Sequence, residues 1–332
     1  MTEPDIDQKE SPDSVAAEIG ADGVEALPGR LDRYGSAKKA ALDVAEYMRG
    51  SPVVQERRIA QQIACCGEWL AFRHYFTADV VRLHAASFCR RHLLCPLCAV
   101  RRGSKSLGAY LGRWEALRAS NPLLRAYLVT LTVANGPDLA ERFRHLHAAQ
   151  RELWKRRQRG RGSVLDLVAG AVWSYEVKRG SGSGLWHPHL HMIALAESMT
   201  IEGKDNPGPL SAEWKAITGD SHMVDVRPID LADPVSGFAE VFKYACKVSD
   251  MEPADALEAF RVLQGKRLIE SAGAFRGVVV PEALTDEPLD GLPFVELFFR
   301  WLARGYTLSG QSSRREPEER PSRSEFVRLM TR

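Results

Sequence analysis

Three histidines alternate with other residues in the segment HPHLH at residues 187–191. In a β-strand, residues two apart project from one face about 6–7 Å apart along the backbone, so two imidazoles can share a metal ion. The segment continues into an apolar stretch, and we therefore predict a strand at residues 189–196 with His189 and His191 as metal ligands. The alternative is that these histidines only pack or lie at a turn.

Glu176 belongs to the preceding segment AVWSYEVK, residues 171–178, whose β-branched and aromatic residues predict another strand. The glycine-rich segment at residues 180–184 predicts a turn, so the two strands form a hairpin that brings Glu176 beside the histidines. Two imidazoles and a carboxylate with open positions suit Mg²⁺ or Mn²⁺ polarising a phosphate. The alternative is that Glu176 faces solvent.

A possible nucleophile lies in the segment FAEVFKYACK, residues 238–247. Helical spacing places Glu240, Tyr244 and Lys247 on one polar face, while the apolar residues between them pack on a core. A phenol with a pKa near 10 needs a neighbouring cation or a polarised target to act as a nucleophile at neutral pH. Lys247 and the metal would supply that help. The alternative is an ordinary amphipathic helix with a half-buried tyrosine.

Five of the six cysteines fall between residues 65 and 98. Four thiolates, two of them in a C-x₂-C knuckle, can close a tetrahedral structural zinc site. We predict that Zn²⁺ is bound by Cys66, Cys89, Cys95 and Cys98. Two choices stay open, because Cys65 could replace Cys66 and His92 could replace Cys89. Reduced buried cysteines or a redox pair are the alternatives to a metal.

Two runs of basic residues follow the knuckle and the segment at residues 138–157. Residues 1–34 hold nine acidic and three basic side chains, which leaves a net charge of +8 on the remainder of a chain of net charge +2. This basic body favours a polyanionic partner, with phosphate contacts as the role of the runs and solvated faces as the alternative. The predicted phosphate-contacting residues are Arg101, Arg102, Lys155, Arg156, Arg157, Arg159 and Arg161.

Further elements are needed to position these groups. We predict strands at residues 125–134 and 223–229, a helix at residues 138–157 with Asp138 as its N-cap, and helices at residues 234–248, 253–264 and 293–303. Hairpins combined with helices predict an α+β fold with an antiparallel sheet.

The two ends of the chain have a different composition. Residues 1–35 are acidic and lack apolar periodicity, which predicts a disordered leader, and the segment from Ser309 predicts a charged, proline-containing tail with a short amphipathic piece at residues 326–330. No apolar stretch reaches the 18 residues of a membrane span, and the start of the chain lacks the pattern of a signal peptide. We therefore expect a cytoplasmic protein without a membrane partner.

The order of these motifs resembles that of the replication initiators of rolling-circle plasmids, within the HUH endonuclease superfamily. The similarity covers roughly residues 65–277. Besides the cysteine knuckle and the Glu176 strand, it is carried by YLVTLT at 127–132, HPHLH at 187–191, KYACK at 243–247 and LQGKRL at 263–268.

This resemblance implies an HUH endonuclease domain with a central antiparallel sheet flanked by helices, preceded by a small zinc-binding module. The predicted division is a disordered acidic leader at 1–50, the zinc module at 51–110, the endonuclease domain at 111–277, a C-terminal helical region at 278–308 and a disordered tail at 309–332.

The resemblance also implies roles for individual residues. His189 and His191 would bind Mg²⁺ or Mn²⁺, Tyr244 would attack the scissile phosphate to form a 5′-phosphotyrosine, and Glu240 would activate water for a second cleavage. The basic runs would contact DNA. The expected partners are single-stranded or cruciform DNA at a plasmid origin and the host helicase and polymerase, in the bacterial cytoplasm.

Other functions use some of the same motifs. HUH chemistry also serves relaxases and single-strand transposases. A histidine-triad nucleotide hydrolase or transferase would use His189 as its nucleophile without a metal or tyrosine. A non-catalytic zinc-containing DNA-binding protein would use the histidines structurally.

Overall fold

The computed structural model describes residues 15–20, 22–160, 162–180, 182–243 and 251–314. The chain divides into two compact units. The larger unit comprises Met1–Gly20, Ser36–Cys66 and Phe88–Leu284, and the smaller unit comprises Ala21–Gly35, Gly67–Ser87 and Thr285–Arg332.

The described residues form helices and strands with the following bounds. The α-helices are α1 (Leu27–Arg49), α2 (Val54–Ala64), α3 (Pro96–Ser120), α4 (Leu139–Gln158), α5 (Pro209–Thr218), α6 (Pro234–Phe242) and α7 (Pro253–Leu263). The strands are β1 (Trp69–Tyr75), β2 (Val80–Ala86), β3 (Arg125–Thr132), β4 (Gly170–Arg179), β5 (Trp186–Ala196), β6 (Val224–Pro228), β7 (Ile269–Gly273), β8 (Phe294–Leu302) and β9 (Gly305–Arg314).

The larger unit is built on a five-stranded antiparallel sheet of order β6-β3-β5-β4-β7. Alternate residues point to opposite faces of the sheet. Leu131, Tyr175 and Leu190 belong to the apolar core that includes α4 and α5, on one face. Val172 and Ile193 belong to the core formed with α3 and α6, on the other face. Helices cover both faces, so the sheet is a rigid support for the side chains along its central strands.

The smaller unit contains a four-stranded antiparallel sheet of order β2-β1-β8-β9. The carboxylate of Asp286 connects its parts: it accepts hydrogen bonds from the Arg30 guanidinium at 2.8 Å and from the Leu83 amide at 2.7 Å. The Arg30 guanidinium also lies over the ring of Phe72.

The predicted α+β class, with antiparallel sheet and flanking helices, is confirmed. The Asp138 side chain accepts a hydrogen bond from the Glu141 amide as the predicted N-cap of α4. The hairpin of β4 and β5 is present, and α7 starts at the predicted residue. The predicted helix at 234–248 is observed up to Phe242, and its remaining residues from Tyr244 onward lie outside the described residues.

Three predictions about the ends of the chain are wrong for the residues that the structure describes. Residues 27–49 of the predicted disordered leader form α1, in which a stripe of Ala37, Ala41, Val44, Ala45 and Met48 is buried at helical spacing. The predicted helix at 293–303, within the predicted C-terminal helical region, is β8, because its aromatic residues pair between β1 and β9. Residues 309–314 of the predicted tail belong to β9, and the piece at 326–330 lies outside the described residues. The domain limits themselves stay a prediction.

No helix in the described part of the chain is both long and apolar enough to cross a membrane.

Candidate metal centres

The alternating histidines lie on β5, the central strand of the larger unit's sheet. Glu176 on β4 is directly opposite His189, and Ser174 on β4 and Thr130 on β3 are the cross-strand neighbours of His191. Residues directly opposite one another in an antiparallel pair share a face of the sheet. The register therefore gathers these polar side chains on the face that α6 covers farther along the same strands.

His191 is held on both sides. Its Nε2 atom lies 3.0 Å from Glu176 Oε2, and its Nδ1 atom lies 3.1 Å from Thr130 Oγ1. Glu176 is only 3% exposed and His191 only 8%. Both groups are buried, and the Glu176 carboxylate and the His191 ring are of the types that bind a divalent cation.

His189 offers a buried nitrogen without a partner. Its Nδ1 atom makes no hydrogen bond to the described residues. Burial lowers the pKa of His189 to about 3, so the imidazole is neutral at physiological pH and keeps a lone pair for a cation. His187 continues the row, with its ring stacked 6.3 Å from that of His189. Burial and Lys178 lower the pKa of His187 as well.

These donors fit a divalent cation. Two imidazoles and a carboxylate form a mixed nitrogen and oxygen set of the kind that transition-metal ions and Mg²⁺ accept. The fit rests on the unpartnered His189 nitrogen and on the buried Glu176. Among the described side chains, however, these three do not form a group with all ligand atoms already drawn together, so binding requires side-chain adjustment.

Helix α6 ends beside the same strands. The Ser174 hydroxyl donates a 2.5 Å hydrogen bond to the carbonyl oxygen of Val241, and this bond ties the last turn of α6 to β4 next to His191. Glu240 lies on that turn and forms an ion pair with Lys243. The predicted nucleophile Tyr244 and the predicted cation Lys247 lie outside the described residues.

The cysteines form a second, separate cluster. The ligand atoms of Cys66, Cys89, Cys95 and Cys98 all lie within 4.8 Å of one another, and this group could hold a metal ion. Sulfur–sulfur distances are 3.5 Å for Cys66–Cys98 and 3.7 Å for Cys89–Cys98. Four sulfurs at the usual 2.3 Å from a tetrahedral zinc would be about 3.8 Å apart. The spacing therefore matches a closed tetrahedral site.

Among the described residues, the structure groups Cys66 and Cys89, rather than Cys65 and His92, with the knuckle cysteines. Cys65, at the end of α2, is exposed, whereas Cys66 is buried. His92 is absent from the group of possible ligands among the described residues. A buried lysine holds the backbone here, because Lys38 Nζ donates to the carbonyl oxygens of Ala64 at 2.5 Å and Cys66 at 2.6 Å.

The thiols perturb one another strongly. Hydrogen bonding with Cys66 lowers the pKa of Cys89 and raises the pKa of Cys95 and Cys98. Four thiolates at this separation repel one another in the absence of a positive charge. A bound divalent cation would supply that charge and allow all four to ionise.

The first basic run has one member in the interior. Arg101 is 1% exposed, and its guanidinium donates to Glu18 at 2.7 Å and to the carbonyl oxygen of Leu284 at 2.7 Å. Burial therefore corrects the prediction that Arg101 contacts DNA. Arg102 is partly exposed and donates to the carbonyl oxygen of Pro281.

The second basic run is more accessible. Lys155 and Arg159 are exposed, and Arg156 forms a long ion pair with Glu152. Arg157 has a structural role, because it donates to the carbonyl oxygens of Leu165 and Val168. Arg161 lies outside the described residues.

Two site residues were missed by the sequence reasoning, namely Thr130 and Ser174. Each alternates with apolar residues in its strand, Thr130 in YLVTLT and Ser174 two residues before Glu176. The period-two spacing predicts which face of the sheet each residue occupies. The contacts of Thr130 with His191 and of Ser174 with α6 depend on the register between strands and could not be predicted from this spacing.

Comparison with known proteins supplies the family context. Residues 80–295 match the model of a family described as "Replication protein". A "Protein rep" of Streptococcus pneumoniae serotype 2 is 27% identical over 173 residues, 52% of each chain. A "Protein rep" of Bacillus sp is 26% identical over 195 residues, 58% of this chain and 59% of that protein. The chain thus spans between half and three fifths of the length of these relatives. No solved structure matches.

Proposed function

This chain belongs to the replication protein family, and from that premise we propose that it initiates rolling-circle replication of a plasmid by nicking single-stranded DNA at the origin. The family membership confirms the resemblance inferred from the sequence. The nicking chemistry, its residues and its partners form the proposal.

The proposal rests on one observation. Two imidazoles and a buried carboxylate lie on one face of the sheet, beside the end of α6. His189, His191 and Glu176 are the donors. The chain continues from α6 directly into Tyr244, and the Ser174 bond fixes the point where α6 ends. Tyr244 comes two residues after the end of α6 in the sequence, and this closeness supports its choice as the nucleophile.

The proposed reaction is a transesterification. His189, His191 and Glu176 would hold a divalent ion, which would supply polarisation of the scissile phosphate. The Tyr244 hydroxyl would release its proton to solvent and its oxygen would form a bond to phosphorus, while the bond from phosphorus to the 3′-oxygen would break. The 3′-oxygen takes up a proton, which leaves a 3′-hydroxyl primer and a 5′-phosphotyrosine. Glu240 would accept a proton from water in a later hydrolytic cleavage.

The cysteine cluster has a structural part in this proposal. Zn²⁺ bound by its four thiols would stabilise the region before α3, and the basic residues Lys155 and Arg159 would contact the DNA backbone. The expected setting is the bacterial cytoplasm, with a host helicase to unwind the plasmid and a host polymerase to extend the primer.

A nicking assay tests the proposal. Purified protein is incubated with labelled single-stranded origin DNA and Mn²⁺, and cleavage is measured on denaturing gels. We expect Tyr244→Phe to abolish cleavage while binding is preserved. Tyr47→Phe, which alters an exposed tyrosine of α1, is the matched control and should cleave normally. Full cleavage by Tyr244→Phe, or turnover of small nucleotides without any DNA cleavage, would contradict the proposal.

A further inference from the structure

A cavity of about 610 Å³ opens between α4, α7 and β7 of the larger unit. It lies on the sheet face of Tyr175, opposite to the face of Glu176, so it is separate from the histidine site. Phe143 lines the cavity, with the imidazole of His147 stacked on its ring at 6.2 Å and 16°. Phe143 is itself only 3% exposed, whereas the side chain of His147 is 37% exposed. The imidazole of His147, backed by Phe143, is therefore the flat surface that the cavity offers to another ring.

The mouth of the cavity is basic. Arg144, Lys266 and Arg267 line it, and none of the three is ion-paired with a carboxylate in the described ranges. Lys266 Nζ lies 5.9 Å from the centre of the Phe143 ring. Arg261 also lines the cavity, but its guanidinium is engaged by Glu56 at 2.8 and 2.9 Å. Three cations are therefore available for an anionic ligand.

The segment LQGKRL, which the proposed nicking reaction does not use, forms this mouth. Gly265 follows α7 with φ of +76°, a left-handed conformation that glycine adopts without strain. The chain reverses there, and Lys266 and Arg267 follow before β7 starts. A side chain other than glycine at residue 265 would strain the turn that presents both cations.

One carboxylate lies among these groups. Glu270 on β7 is 3.8 Å from His147 Nε2 and 3.4 Å from the Tyr175 hydroxyl. A carboxylate within a basic, aromatic pocket repels phosphate but accepts hydrogen bonds from the amino group of a nucleobase. The pocket therefore offers separate places for a base and for a phosphate.

We propose that this pocket binds one nucleotide of single-stranded DNA at a second site, away from the histidines. The base stacks on the imidazole of His147 with its amino group toward Glu270, and the flanking phosphates contact Arg144, Lys266 and Arg267. Aromatic stacking combined with a basic rim is how proteins hold single strands without reading their sequence strictly. The inference rests on the proposed function, because it takes the anionic ligand of the pocket to be DNA.

Binding of a short fluorescent single-stranded oligonucleotide, followed by anisotropy, tests this site. The measurements use the full chain carrying His189→Ala and His191→Ala, so that cleavage does not interfere. Lys266→Ala and His147→Leu are added singly. Lys204→Ala removes an equal charge from an exposed position outside the cavity and is the matched control. Thermal unfolding verifies that each variant is folded.

We expect His147→Leu to weaken binding by about fivefold to a hundredfold, the range of one lost base-stacking contact. Lys266→Ala should weaken binding and lower the slope of log affinity against log salt by about 0.7. Folded pocket variants that bind like Lys204→Ala would overturn the inference. So would equally tight binding of a free nucleoside monophosphate, because the site would then be a small-molecule pocket.

The same variants separate this inference from the nicking proposal. If pocket variants lose oligonucleotide binding although the unaltered chain never cleaves origin DNA, the pocket inference stands and the nicking proposal fails. If the unaltered chain cleaves and the folded pocket variants bind normally, the pocket inference fails alone.

Discussion

The two candidate metal centres of the larger unit differ in how complete they are before a metal binds. The four cysteine sulfurs already lie within 4.8 Å of one another and three of the four residues are buried. The histidine site pairs His191 with Glu176 and leaves His189 Nδ1 without a partner among the described residues. A closed set of four protein ligands is typical of a structural metal site, and an incomplete set leaves room for substrate.

This difference indicates whether each site contributes mainly to the stability of the fold or to the reaction. Ligands that fill every position around a metal stabilise the fold, because binding free energy becomes folding free energy. Ligands that leave positions open around a metal contribute less to stability, and the metal that they hold can act on a bound substrate. We therefore expect damage to the cysteines to unfold the protein and damage to the histidines to stop cleavage in a folded protein.

The largest effect is expected at the cysteine cluster. Cys95→Ser should release the bound metal and lower the melting temperature by about 10 °C or more, because structural zinc contributes about 10–16 kcal/mol of binding free energy in small zinc domains. Metal content by mass spectrometry and circular dichroism melts measure both effects. Cys65→Ser, at the neighbouring exposed thiol, should change neither. Equal metal content in the two variants would contradict a metal site that includes Cys95 and excludes Cys65.

The histidine site should show the reverse pattern. His189→Ala and His191→Ala should each reduce the rate of origin cleavage by more than about 100-fold, since loss of a metal ligand weakens phosphate polarisation by several kcal/mol. The melting temperature should fall less than in Cys95→Ser, and both variants should remain folded at the assay temperature. His187→Ala, on the same strand face, is the control and should retain most of the activity. If both ligand variants unfold instead, the histidines are structural and the comparison between the sites collapses.

A smaller effect is expected at Thr130. Thr130→Val preserves the shape of the side chain but removes the hydroxyl that contacts His191 Nδ1. Partners of a metal-binding imidazole typically contribute about 10–100-fold to metal affinity or activity. Titration of cleavage with Mn²⁺ should show a higher half-saturating concentration. Thr132→Val is the control, because its hydroxyl donates to the carbonyl oxygen of Met223 instead. Identical titrations would show that the Thr130 contact does not orient His191.

The smallest effect concerns an ion pair outside both sites. The Arg261 guanidinium lowers the pKa of Glu56, and the Ser51 hydroxyl adds to this effect while burial opposes it. A carboxyl with a lowered folded-state pKa contributes stability that is present above its unfolded pKa of about 4.5 and is lost as pH falls through the folded value.

Glu56→Gln should therefore reduce stability at pH 7 by about 1 kcal/mol, a modest value because half of the Arg261 side chain is exposed. The difference from the unaltered protein should shrink below pH 4.5 in urea unfolding. Glu46→Gln, at an exposed pair, is the control. Cleavage should be unchanged in both variants. If the loss of stability in Glu56→Gln instead grew as the pH fell, the folded-state pKa of Glu56 would be raised rather than lowered.

The central strands could be predicted because their patterns are local. Alternation in HPHLH and the glycine-rich turn before it were sufficient to predict the hairpin that sets Glu176 opposite His189. The C-x₂-C knuckle likewise identified Cys95 and Cys98. The choice between Cys65 and Cys66 was beyond local reasoning, since the two are adjacent cysteines and only the end of α2 determines which one faces inward.

Nonlocal pairing explains the errors. The segment FVELFFRWL has apolar residues at spacings that suit a helix or a strand, and its strand conformation depends on pairing with β1, more than two hundred residues earlier. The start of α1 contains Pro28 and Gly29, which are typical of loops, but proline is tolerated in the first turn of a helix. Burial of Arg101 also depends on remote partners, Glu18 and Leu284.

The most direct test of the central claim is to identify the covalent product. The protein is incubated with Mn²⁺ and single-stranded DNA from its replicon, digested, and analysed by mass spectrometry. The account predicts a 5′-phosphotyrosine on Tyr244 that is lost in the His189→Ala/His191→Ala variant. An adduct on any other residue, or origin cleavage without an adduct, would contradict it.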